Sequence, residues 1–221
     1  MSKQKIILIA VAVLVLIFFI GNYLYKDAQT QKASAIAKKS EEVFIRDYST
    51  IVGKKDAKVT LVEFLDPACG ACRAFYPLIK KIMEEHPEQI RHVIRYAPFH
   101  QGSNEVVKII EASKLQDKYF ETLELLFRYQ NKWTINHKVD IKMVWRILPG
   151  IGLDIEKLQN DIKDPRFDKL VEQEIADAKK LGVKKTPGYF VNGKPLQEFG
   201  YEQLKQLIES QLWKNYLHLS H

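Results

Sequence analysis

Val59-Thr60-Leu61-Val62-Glu63-Phe64-Leu65, followed four residues later by Cys69-Gly70-Ala71-Cys72, is the stretch from which the rest of this chain can be ordered. The first run is β-branched and apolar, as a buried strand requires. After Cys72 the pattern turns helical: Phe75, Ile79, Ile82 and Met83 recur at spacings of three and four, with Pro77 expected to kink the helix. A Cys-x-x-Cys at such a junction aims its first sulfur at the free amides of a helix N-terminus, whose partial positive charge favours the thiolate. These are the only two cysteines in 221 residues. The arrangement points to dithiol redox chemistry.

A structural zinc site needs four ligands, and with no second cysteine pair it would have to recruit histidines. The candidates, His86, His92, His100, His137, His218 and His221, are scattered along the chain. A purely structural disulfide is poorly supported too, because so short a loop constrains the unfolded chain little. Glu63 is out of place within its apolar run. Either it turns outward to solvent or it is buried with a raised pKa.

Ile90 to Tyr96 reads as a second strand, after which strands are expected to be absent for about 80 residues. Ser103 is expected to cap a helix carrying Val106, Val107 and Ile110, and Asp117 another carrying Tyr119, Phe120, Leu123, Leu126 and Phe127. Asp164 before Pro165 starts a helix with Phe167, Val171, Ile175 and Ala178 on its apolar face, and Gly182 ends it. Tyr189-Phe190-Val191, Asn192-Gly193 and Lys194-Pro195-Leu196 read as a hairpin with a two-residue turn. Tyr201, Leu204, Leu207, Ile208 and Leu212 line a closing helix.

At the N-terminus, Ile6 to Ile20 is an unbroken apolar run, and no charge occurs between Lys5 and Lys26. As a helix that stretch would span roughly 30 Å, the hydrocarbon thickness of a bilayer. An uncleaved signal anchor is favoured over a cleaved signal peptide, since Ala33-Ser34-Ala35 lies well beyond Ile20 and Tyr23 and Tyr25 suit an interface. Lys3 and Lys5 place the first residues in the cytoplasm and the bulk of the chain outside it, in the periplasm or beyond the cytoplasmic membrane. The net charge of +7 is misleading. Residues 1–40 hold six Lys and one Asp, which leaves 28 basic and 26 acidic residues, net +2, for residues 41–221. A nucleic-acid partner is therefore discounted.

The expected organisation is a transmembrane anchor over 1–25, a linker with room for a helix over 26–50, the first part of an α/β domain over 51–100, a helical insertion over 101–181, its second part over 182–216, and a tail over 217–221. No repeat is present.

The order of strand, dithiol helix, strand, helical block, hairpin and helix resembles the thioredoxin superfamily with an inserted helical domain, and more narrowly the DsbA-like thiol:disulfide oxidoreductases. The likeness covers about residues 50–215. It rests on Asp56-Ala57, Val62-Glu63-Phe64, Cys69-Gly70-Ala71-Cys72, Tyr96-Ala97-Pro98-Phe99-His100, and Leu181 to Gly193 with its Thr186-Pro187. The resemblance implies that Cys69 is the exposed nucleophile, Cys72 its buried partner, and Glu63 the acid that moves protons to and from Cys72. It also implies that Pro187 is a cis-proline and, with Thr186, offers an edge for a client segment, with no cofactor and no metal. Strongly oxidising relatives carry a histidine between the cysteines. Gly70-Ala71 has none, leaving the helix terminus and Arg73 to favour the thiolate, so a milder oxidant is expected. The implied partners are reduced or misoxidised exported proteins and a membrane redox protein that recycles the dithiol, with room for a homodimer. Oxidation of exported proteins ranks first, isomerase or reductase activity second. A copper chaperone using Cys69, Cys72 and His100, or a peptide-binding holdase, ranks below both.

Overall fold

The computed structural model describes residues 14–31 and 41–218. Its central sheet has five strands in the order β1-β3-β2-β6-β7. The strands are β1 (Thr50–Val52), β2 (Val59–Leu65), β3 (Ile90–Tyr96), β6 (Gly188–Val191) and β7 (Lys194–Pro195). β2 and β3 run parallel, joined by α3 (Gly70–Glu85), and the other pairings are antiparallel. The bounds of β2 and β3 coincide with the two strands expected from the sequence. α3 continues through Pro77 and buries Ile79 and Ile82 against Leu61, Ile90 and Tyr189. Leu204, Ile208 and Leu212 of α10 (Tyr201–His218) close the same layer. The opposite face of the sheet, with Val62, Phe64, Val93 and Phe190, packs on Ala178 and Leu181.

Between β3 and β6 lie α4 (Ser103–Ser113), α5 (Tyr119–Arg128), α6 (Gln130–Trp133), α7 (Ile141–Ile147), α8 (Ile155–Asp161) and α9 (Pro165–Lys180). They gather a core around Val106, Ile110, Leu123, Leu126 and Trp133 that is continuous with Cys72 and Tyr96. α9 starts as its sequence demands: the Asp164 side chain accepts from the Arg166 N–H, with Pro165 in the first turn. It stops at Gly182 (φ 73°), where Gly182 N–H bonds Lys179 O and Val183 N–H bonds Ala178 O, a Schellman closure.

Four expectations need correction. Strands are not absent from the helical block: β4 (Thr134–Ile135) and β5 (Lys138–Val139) form a small hairpin, too short for a period of two to register. Ser103 does not cap α4. Gly102 occupies that place at φ 84°, and the Ser103 hydroxyl turns to Asp66. Asp117, in the left-handed region, ends a 3-10 turn instead of starting α5. Residues 41–50, read as linker, join the folded part: α2 (Glu41–Phe44) buries Val43 and Phe44 against the sheet, and β1 pairs with β3.

The expected membrane anchor falls partly outside the described residues. Residues 14–31 form a helix, α1, with an exposed apolar surface, and among the described residues no helix is long and apolar enough to cross a membrane.

Candidate active site

Cys69 occupies the N-cap of α3 in extended conformation, with Cys72 in the first turn. Both are free thiols. Cys72 is 1% exposed and Cys69 8%. The peptide bond between Thr186 and Pro187 is cis, and this loop faces the dithiol: Cys69 Sγ donates to the Thr186 carbonyl oxygen at 3.2 Å. Gly188 lets Val183 pack closely behind it, since a Cβ there would meet Val183 Cγ1 at 2.9 Å. The Gln130 side-chain amide donates to the carbonyls of Pro67 and Cys69 at 2.7 and 3.0 Å, which pins the loop leading into α3.

The environments of the two sulfurs differ in sign. Cys69 is drawn down from the ordinary thiol range to about 5. A hydrogen bond from Cys72 is the largest cause; burial opposes it, and contacts with the Thr186 side chain and with the Cys72 and Ala71 backbone add to the fall. The Thr186 carbonyl, an acceptor, favours the protonated form and works against these donors. Cys72 is pushed well above its ordinary value, by burial first, then by its bond to Cys69 and by the charges of Cys69 and Glu63. The Asp66 N–H, 3.4 Å from Sγ, opposes this rise. The Arg73 guanidinium donates to Asn131 Oδ1 at 2.7 Å. Gly70 contributes open space, with no atom within 4 Å of where its Cβ would lie.

Glu63 is buried, 1% exposed, so the solvated alternative is excluded. It lies on the sheet face covered by α3. Its Oε1 accepts from the Tyr189 hydroxyl at 3.0 Å and its Oε2 is 2.9 Å from His92 Nε2. Sequence reasoning missed both partners. A weak signal existed, since His92 is one of three polar residues in β3, beside Arg91 and Arg95, and polar groups in adjacent buried strands satisfy one another.

Asp66 was missed as well. Fully buried, its carboxylate accepts from the N–H groups of Ala68, Phe99 and His100, from the Ser103 hydroxyl, and lies 2.7 Å from His100 Nδ1. It ties the loop before Cys69 to the loop after β3, a long-range role with no local pattern. His100 is thereby held by Asp66 and stacked on His137. Among the described residues no three His, Cys, Asp or Glu side chains are grouped to hold a metal ion.

A family model described as thioredoxin matches residues 46–210. This chain belongs to the thioredoxin family. Within it the chain is DsbA-like, as its motifs indicate. The probable disulfide bond formation protein D of Bacillus anthracis is 27% identical over 217 residues, 94% of this chain and 95% of the relative. A thioredoxin-like oxidoreductase of Silicibacter pomeroyi superposes with a TM-score of 0.67 at 27% identity, covering 79% of this chain and 98% of that one. The Na+/H+ antiporter NhaA of Herminiimonas arsenicoxydans is 27% identical over 147 residues, 66% of this chain. That match takes in 23% of the antiporter, so this chain spans about a quarter of the length of the first curated relatives it matches.

Proposed function

We propose that this chain is a thiol:disulfide oxidoreductase that forms disulfides in exported proteins through Cys69 and Cys72. The observation that carries the reading is the opposed environment of the two sulfurs, one drawn down to about 5 and the other pushed well up. In the oxidised protein a client thiolate attacks Cys69 Sγ and the Cys69–Cys72 bond breaks. Cys72 leaves with the electron pair and takes up a proton, since burial disfavours its thiolate. Glu63, buried on the sheet face beneath α3, is the acid that passes that proton. A second client thiolate then attacks the client sulfur of the mixed disulfide, and Cys69 departs as a thiolate. A low-pKa thiol leaves fast, which drives the exchange toward client oxidation. The cis Thr186-Pro187 loop, beside Cys69 Sγ, supplies the edge on which an extended client segment pairs. Gly70 and Ala71 bring no side-chain donor, so the oxidant is milder than one with a histidine between its cysteines.

Location follows from the apolar N-terminal run: a single-pass anchor holds the catalytic domain outside the cytoplasmic membrane, where a membrane redox protein reoxidises the dithiol. The test is to mix the full chain with a reduced client and with a scrambled one, in glutathione buffers of known potential. Native disulfides in the reduced client alone support the oxidase, and rescue of the scrambled client would make the chain an isomerase. No exchange in either case, or equal exchange by Cys69→Ser, overturns the reading.

A further inference from the structure

The folded part of the chain is nearly neutral, yet the surface around Cys69 is not. On the cis-proline side, α9 ends in Lys179-Lys180 and the loop to β6 carries Lys184-Lys185 immediately before Thr186. All four are exposed, and none has an ion-pair partner among the described residues. With Tyr25, Lys26 and Gln29 of α1 they line a groove of about 900 Å³ beside Thr186 and Pro187 whose apolar wall includes Leu196 and Phe199, and Lys26 there pairs with Glu198 at 3.1 Å. On the other side a second groove, of about 610 Å³, runs between α3 and α5. It starts at Arg73, one turn after Cys69, and its floor is Tyr76 against Phe127. Its rim carries Lys80, Lys81 and Arg128 against Glu84 and Glu124; Lys80 pairs with Glu124 and Lys81 lies 3.9 Å from Glu85, so Arg73 and Arg128 carry the positive excess there.

Cations therefore flank the reactive sulfur on both sides, in grooves with apolar floors. Such a field raises the encounter rate of anionic partners and disfavours cationic ones. From this we infer that the site selects protein thiols and disulfides lying in acidic segments that also carry apolar side chains. The inference rests on the thiol-exchange reading and names its substrate class. An anionic lipid surface shares the charge but not the position: lysines beside the cis-proline edge guide what binds there onto Cys69, whereas a bilayer lying on them would cover the sulfur.

The test uses the reduced full chain and two peptides that differ only in carrying four Glu or four Lys around one cysteine, itself joined to thionitrobenzoate. The Cys69 thiolate attacks the peptide sulfur, that disulfide breaks, and coloured thionitrobenzoate leaves with the electron pair. Cys72 then displaces the peptide thiolate and closes the Cys69–Cys72 disulfide. The acidic peptide is expected to react about tenfold faster at low ionic strength. That ratio should fall toward one near about 1 M salt, where screening is short-ranged, and should shrink several-fold in Lys184→Glu, Lys185→Glu. A ratio taken on one preparation is unaffected by any loss of folded protein. Equal rates for the two peptides, or a ratio the double variant leaves unchanged, overturns the inference. So does binding to phosphatidylglycerol vesicles that blocks reaction with both peptides. Reaction with neutral hydroxyethyl disulfide separates the two levels: its failure would sink the thiol-exchange reading itself.

Discussion

Cys69 and Cys72 are chemically identical and three residues apart, so their difference is made by what surrounds them. Cys69 at the helix start meets donors, while Cys72 is enclosed by the sheet face that also holds Glu63. Glu63→Gln keeps the volume and an acceptor for Tyr189 but cannot shuttle a proton. It should slow mixed-disulfide formation, the step in which Cys72 leaves and is protonated, by about 10²-fold, the usual scale of acid–base assistance, with the later release of Cys69 by the second client thiol little changed. Stopped-flow measurement of mixed-disulfide formation and resolution distinguishes the steps, and equal slowing of both would contradict the assigned role. The place of the two sulfurs at a helix start was legible because motif and spacing are local, whereas the roles of Glu63 and the Thr186-Pro187 pair were implied by the resemblance alone. His92, Tyr189 and Asp66 were not legible, since each acts on a residue far away in sequence.

At the scale of elements, β2, β3, α9 and the β6–β7 hairpin could be read because periodicity, caps and a turn dipeptide agree over enough residues. β1 could not: three residues at a sheet edge with one side exposed give too little pattern. An ionic cluster reinforces the apolar packing of α2 and the pairing of β1. Arg95, wholly buried, donates to Glu174 at 2.8 Å, to Asp177 at 2.7 Å and to the Val43 carbonyl at 2.6 Å, and Arg46 closes on Asp177 at 2.7 Å. Removing one partner of such a cluster leaves buried charge unpaired. Arg95→Met should therefore cost about 3–5 kcal/mol, read as a shift in the denaturant midpoint. A change under about 1 kcal/mol, the scale of an exposed pair, would show that the cluster does not reinforce these elements.

Across the whole molecule, the dithiol couples redox state to stability. The folded pKa of Cys69, about 5, lies below its unfolded value of about 8.5. Between those limits the unfolded chain binds more protons, so the reduced form should gain stability relative to the oxidised form as pH rises from about 5 to 8.5, and lose that gain as pH falls through about 5. Above about 8.5 the buried Cys72, still protonated when folded, opposes any further gain. Unfolding midpoints of the two redox forms across this range check the sign; a difference independent of pH would contradict it.

The most direct measurement is the rate of alkylation of the reduced full chain as a function of pH, with Cys69→Ser as the blank. The account predicts one fast-reacting thiolate whose titration is centred near 5 and is lost in the blank. A midpoint at or above about 8.5, the value of a free cysteine, would contradict it.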